Sequence, residues 1–271
     1  MGKAKSDFIE LGENNILDYV VLGEGKKSIV CIPGLSDGLG TVHGKHLLLA
    51  QYYRDMSKHY RMYIFSRRRN IPEFWSLKDM ADNLVDACRR LRIGNPHVIG
   101  VSMGGMIAQY IAIHHGDFFD KMVIGISCSN RNETVENALS TWMEQVDRGE
   151  IDQFRKDLFL RTYTDKYLKR MRFATPLLKL AFRIKDKERF LRQANACLGH
   201  NAKNNLSKIK RPVLVIGGDQ DKIVGFNSSE ELHQSIPGSQ CIIFKGIGHS
   251  LCEERQKDFD REVMSFFNSD R

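Results

Sequence analysis

Short apolar runs and helix-spaced patterns alternate along the first half of the chain. "ILDYVVLG" and "KSIVCIP" read as strands, with "GEGKK" as the turn between them. A helical stretch around "KHLLLAQYYRDMSKH" follows, then the strand "RMYIFS". In "SLKDMADNLVDACRRLRI" the apolar positions share one helical face, and Ser76 and Asp79 have the spacing of a capping box at its start. The strand "PHVIGV", the helix "MGGMIAQYIAIHH" and the strand "KMVIGIS" complete the run. Wholly apolar strands separated by helices predict an α/β fold, a mostly parallel, doubly wound sheet covered on both faces.

The rhythm breaks near Arg131. From there to Leu206 no segment reads as a strand. Trp142, Phe154, Leu158, Phe159, Tyr163, Tyr167, Leu177, Leu178 and Phe190 recur at helix-like intervals. Strands resume at "RPVLVIGG" and "QCIIFKG", with a helix around "SSEELHQSI" between them and a last helix from about Glu253 to Phe267. The expected organisation is a core of residues 1–130 and 207–271 interrupted by an all-helical cap at 131–206.

Composition narrows the picture. With 271 residues, 42% of them hydrophobic, the chain can build one large domain with an insertion. No uninterrupted apolar run reaches the roughly 18 residues of a membrane span. The start "MGKAKSDFIE" lacks an apolar signal region, although Met1-Gly2 with Ser6 fits the short N-myristoylation pattern. The six cysteines are scattered without C-x-x-C, which suits free buried thiols in a cytoplasmic protein. The net charge of +8 is dispersed and no nucleic-acid module is present, so no nucleic-acid partner and no membrane partner are expected. No H-E-x-x-H-like spacing occurs, so neither a metal nor a cofactor is expected. The expected partner is a small molecule, and the expected assembly a monomer or homodimer.

The chemistry centres on Gly100-Val101-Ser102-Met103-Gly104, a G-x-S-x-G pentapeptide. Such a short pattern recurs by chance, so its flanks decide. A strand runs straight into it and a helix leaves it directly, which is the context that lifts a serine oxygen above a sheet edge. A serine hydroxyl needs a base, and the base needs an orienting carboxylate. His249, in "FKGIGHSLCEE", follows the last strand on a glycine-containing loop and is the candidate base. Asp219 and Asp221 both follow "PVLVIGG". Asp221 lies further past the strand and is preferred as the acid, with Asp219 bracing the loop. The Met103 and Leu35 amides are the candidate oxyanion donors. Ser36 and Asp37 are candidates to line the pocket or brace that loop. Arg67, with Arg68 and Arg69, is a candidate to pair with a substrate carboxylate or phosphate, or to brace loop and lid. Trp142 is a candidate wall of a substrate slot, or part of the lid's own core.

Pro33-Gly34, Gly100-Val101-Ser102-Met103-Gly104-Gly105, "GGDQDKIVG" and "GIGHS" together resemble the α/β-hydrolase family over nearly the whole chain. Within it, "IPGLSDGLGTVHGK", "YIFSRRRN" and "CEERQKDF" resemble a mostly bacterial group of undefined substrate. Pro33-Gly34 departs from the common His-Gly of the oxyanion loop while keeping the backbone donor. The resemblance implies hydrolysis of an ester-like acyl substrate through an acyl-enzyme. A thioesterase, lactonase, carbon–carbon bond hydrolase or cofactor-free peroxidase would use the same triad. A catalytically silent ligand-binding protein of the same fold is a further alternative.

Overall fold

The computed structural model describes residues 4–171 and 183–269. Met1-Gly2, Leu177 and Leu178 lie outside them. The chain folds as β1 (Ala4–Gly12), β2 (Asn15–Leu22), β3 (Ser28–Ile32), α1 (His46–Tyr52), β4 (Arg61–Arg68), α2 (Leu77–Arg90), β5 (His97–Val101), α3 (Met103–His114) and β6 (Met122–Gly125). Helices α4 (Glu133–Asp147), α5 (Ile151–Thr162), α6 (Asp165–Met171) and α7 (Lys187–Leu198) follow. The chain then returns through β7 (Val213–Gly218), α8 (Ser228–Ser235), β8 (Gln240–Phe244), α9 (Leu251–Glu254) and α10 (Gln256–Asn268).

The sheet runs in the order β1-β2-β4-β3-β5-β6-β7-β8. From β4 to β8 every neighbouring pair is parallel, while β1 and β2 are antiparallel. Two details depart from the sequence reading. The opening segment forms β1, an edge strand whose half-exposed pattern gives no apolar run. The strands β2 and β3 are joined by the expected turn but are not neighbours, because β4 is hydrogen-bonded to both.

Alternation in the central strands buries the sheet on both sides. Val30 and Ile32 of β3, Val98 of β5 and Val215 of β7 pack with α2 and α3. Ile29 and Cys31, Ile99, and Leu214 and Ile216 pack with Phe259, Val263, Phe266 and Phe267 of α10. This is why these strands read as continuous apolar runs. The capping box at α2 is present, with Ser76 Oγ accepting from the Asp79 amide at 3.1 Å. The last helical segment is interrupted at Arg255, whose non-helical backbone (φ −129°, ψ 36°) separates α9 from α10.

Helices α4 to α7 stand between β6 and β7. Trp142, Phe154 and Phe190 meet in edge-to-face pairs at 6.3 and 5.2 Å. They belong to the same buried cluster as Leu39, Met103 and Val224 beside the strand ends. At the base of this layer Asn130 bridges Asn201, and the Arg131 amide donates to the His200 carbonyl.

Candidate active site

β5 ends at Val101 and α3 begins at Met103, so Ser102 alone reverses the chain. It does so at φ 57° and ψ −122°, a conformation costing on the order of 1–3 kcal/mol for a residue with a Cβ. Hydrogen bonds fix it there. The Ser102 amide donates to the Gly125 carbonyl at 2.9 Å, and its own carbonyl accepts from Gly105 N, Met106 N and Ser127 Oγ at 2.8, 3.1 and 3.0 Å. The glycines answer a spatial need. A Cβ on Gly100 would stand 2.4 Å from the Gly104 carbonyl oxygen, and one on Gly104 would stand 1.9 Å from that of Ile32.

The loops after β7 and β8 converge on this serine. The Gln220 amide donates to the Ile247 carbonyl at 3.0 Å, which laces the two loops together. His249 Nε2 then lies 2.8 Å from Ser102 Oγ, and His249 Nδ1 lies 2.8 Å from Asp221 Oδ2. Asp221 is 2% exposed, and its other oxygen accepts the Ile223 and Val224 amides at 2.9 and 3.0 Å. A carboxylate acceptor at Nδ1 assigns the ring proton to that nitrogen. Nε2 is left to accept the Ser102 hydroxyl proton. Asp219 turns away, accepting the Gly246 amide at 2.7 Å.

Leu35 opens a 3-10 helix, Leu35–Leu39, and Met103 opens α3. First-turn amides have no acceptor within their own helix, so both are suited to an external oxygen. Gly34 allows the two segments to approach, since a Cβ there would lie 3.2 Å from Ser102 Cβ.

A cavity of about 210 Å³ opens over Ser102 and His249. Leu35, Ser36 and Met103 line its floor, while Leu139, Trp142, Phe154 and Phe190 line its roof. Ser36 and Trp142 therefore face the cavity, one of the two places the sequence left open for each, and Trp142 Nε1 is tied to Asp157 at 2.7 Å. Arg67 is a correction. It is 4% exposed, does not line the cavity, and its guanidinium donates to the Pro33 and Gly34 carbonyls behind the 33–39 loop. Charged groups at a strand's C-terminal end look alike in sequence whether they point up to the ligand or sideways into a loop. Asp37 is likewise buried, paired with Arg189 at 2.5 Å. Arg189 escaped the sequence reading because an arginine on a polar-looking helix carries no signal of burial. Cys197 and Cys252 reach the cavity, but burial pushes the Cys197 thiol up to about 12 and Cys252 well above the ordinary thiol range. Both stay protonated and poorly nucleophilic.

Comparison with known proteins shows the family. Residues 29–262 match the model of the alpha/beta hydrolase family. The chain belongs to that family. Among curated members, a putative carbamate hydrolase RutD of Serratia proteamaculans is 22% identical over 253 residues, covering 86% of this chain and 89% of the relative. The AB hydrolase superfamily protein YisY of Bacillus subtilis is 27% identical over 208 residues, covering 73% and 75%. Among solved structures, the enol-lactonase from Burkholderia xenovorans LB400 superposes with a TM-score of 0.84 at 18% identity, covering 97% of this chain and all of that one. The chain is thus an alpha/beta hydrolase, an enzyme whose sheet and flanking helices are those of the family. No helix among the described residues is long and apolar enough to cross a membrane.

Proposed function

We propose that this alpha/beta hydrolase is a cytoplasmic serine hydrolase that cleaves an ester-like acyl bond of a small molecule. The observation that carries the reading is the continuous chain Ser102 Oγ–His249 Nε2 and His249 Nδ1–Asp221 Oδ2, both links 2.8 Å, at the floor of the cavity. Ser102 attacks the carbonyl carbon as His249 takes its proton. The Leu35 and Met103 amides stabilise the oxyanion. His249 returns the proton to the leaving group, and water then frees the acyl group through the same histidine. Asp221 holds the ring's orientation and balances its charge. The helices at 131–206 act as a cap, and their aromatic residues favour an apolar acyl group. The six free thiols suit a reducing compartment.

The test is hydrolysis of p-nitrophenyl esters of graded chain length. Carbamates and lactones belong in the same panel, because relatives bear those names and both present an attackable acyl carbon. Ser102→Ala is expected to lower kcat by on the order of 10⁴-fold or more and to abolish fluorophosphonate labelling. Equal turnover by the mutant refutes the assignment.

A further inference from the structure

A cluster of charge lies directly behind the oxyanion loop. Asp37 and Arg189 bury their side chains almost completely and meet at 2.5 Å. Arg189 reaches down from α7 and also donates from Nε to the Asp37 carbonyl at 3.1 Å, and from Nη1 to the Arg68 carbonyl at 2.6 Å. Gln193, one turn further along α7, donates to Asp37 Oδ2 at 3.3 Å. From β4, the Arg67 amide donates to the same oxygen at 3.2 Å, while the Arg67 guanidinium takes the Pro33 carbonyl and, at 3.4 Å, that of Gly34. The Gly34 carbonyl also accepts from the Asp37 amide at 3.2 Å.

The Gly34 carbonyl and the Leu35 N–H belong to one peptide unit. In a planar trans peptide they point in opposite directions. Holding the carbonyl against Arg67 and Asp37 N therefore turns the Leu35 N–H the other way, and Leu35 lines the cavity with Ser102 and His249. A cation at the carbonyl oxygen also draws electron density from the amide and strengthens its N–H as a donor. Two guanidinium groups face one carboxylate here. Their excess positive charge lies behind a site where negative charge would develop. Burial would raise the Asp37 carboxyl, but Arg189 and Arg67 outweigh it and keep it below the usual range.

We propose that the buried Arg67–Asp37–Arg189 cluster positions and polarises the Gly34–Leu35 peptide, so that stabilisation of the oxyanion depends on a residue delivered by the cap. The proposal rests on Ser102 acting as the nucleophile. Arg67 and Arg189 are positioning residues, since neither touches the cavity. Separating α7 from the core would remove one anchor of the loop, so an open cap would weaken the donor that the reaction needs.

The experiment compares two ligands with the same carbon skeleton. An alkyl trifluoromethyl ketone adds the Ser102 oxygen to its carbonyl carbon, and the resulting hemiketal oxyanion occupies the donor site. The matching methyl ketone binds without that adduct. Arg67→Met and Arg189→Lys are expected to weaken the trifluoromethyl ketone and to lower kcat by about 10- to 100-fold, below the loss of a whole donor. The methyl ketone and KM should move less than about twofold by the same reasoning. A general packing defect would weaken both ketones together, and that result overturns the proposal. Should a single variant fail to fold, the Arg67→Met/Asp37→Leu/Arg189→Met triple variant removes the whole cluster without stranding a charge. If it folds and binds the trifluoromethyl ketone as tightly as wild type, the proposal is overturned. A wild-type protein that forms no Ser102 hemiketal overturns the reading of Ser102 as well. A wild type that forms it, beside variants that bind it equally well, overturns the cluster's role alone.

Discussion

Acidification should loosen the base of the helical layer through His200. This side chain is 2% exposed and donates from Nε2 to the Cys128 carbonyl at 3.0 Å. Its Nδ1 is buried without a partner among the described residues. Protonation would therefore place a charged N–H where nothing accepts it. Burial lowers the pKa from 6.5 to about 4, with the Cys128 hydrogen bond opposing. The folded pKa lies below the unfolded one, so the unfolded chain binds the proton first. Stability is complete above about pH 6.5 and falls as the pH drops towards 4. The full shift of about 2.5 units is worth about 3 kcal/mol, of which about 2 kcal/mol is lost by pH 5. Urea unfolding at pH 7.5 and pH 5 measures this directly. His200→Gln keeps an amide donor for the Cys128 carbonyl but cannot be protonated. It should lose about 2 kcal/mol less than wild type between the two pH values. A variant that loses as much as wild type refutes the reasoning, because another group would then be binding the proton.

Three further substitutions probe the acid and the turn at Ser102. Asp221→Asn should lower kcat by on the order of 10³- to 10⁴-fold by turning the imidazole to the wrong tautomer, while Asp219→Asn should change it less than about tenfold. Comparable losses in steady-state ester assays would undo the distinction between the two aspartates. Gly104→Ala drives a methyl group to 1.9 Å from the Ile32 carbonyl oxygen, where β3 and α3 cross. It should cost about 3 kcal/mol or more, seen as a drop in melting temperature and in fluorophosphonate labelling. A variant as stable as wild type would mean that the two backbones can separate freely.

Local chemistry was written plainly in the chain. The parallel strands were legible because burial on both faces leaves only apolar residues to read. Ser102 was legible because a sharp strand–helix reversal demands glycines at fixed offsets. Asp221 and His249 were legible because loops after strand ends are short and must open towards the same sheet edge. The β1 strand was not, since an edge strand exposed on one side shows no apolar run. Arg67 illustrates the harder limit. Its position at the C-terminal end of β4 placed it near the site, but only the path of the 33–39 loop decided that it turns behind that loop instead of into the cavity.

Sequence by itself therefore determined the fold class and picked out the candidate residues Ser102, Asp221 and His249, because periodicity and turn chemistry act over a few residues. The tertiary structure alone decided which polar groups meet. Asp37 and Arg189 are far apart in the chain, yet meet at 2.5 Å with both side chains buried. No local pattern announces such a pair, since the attraction that offsets its desolvation cost exists only after α7 has packed over the sheet.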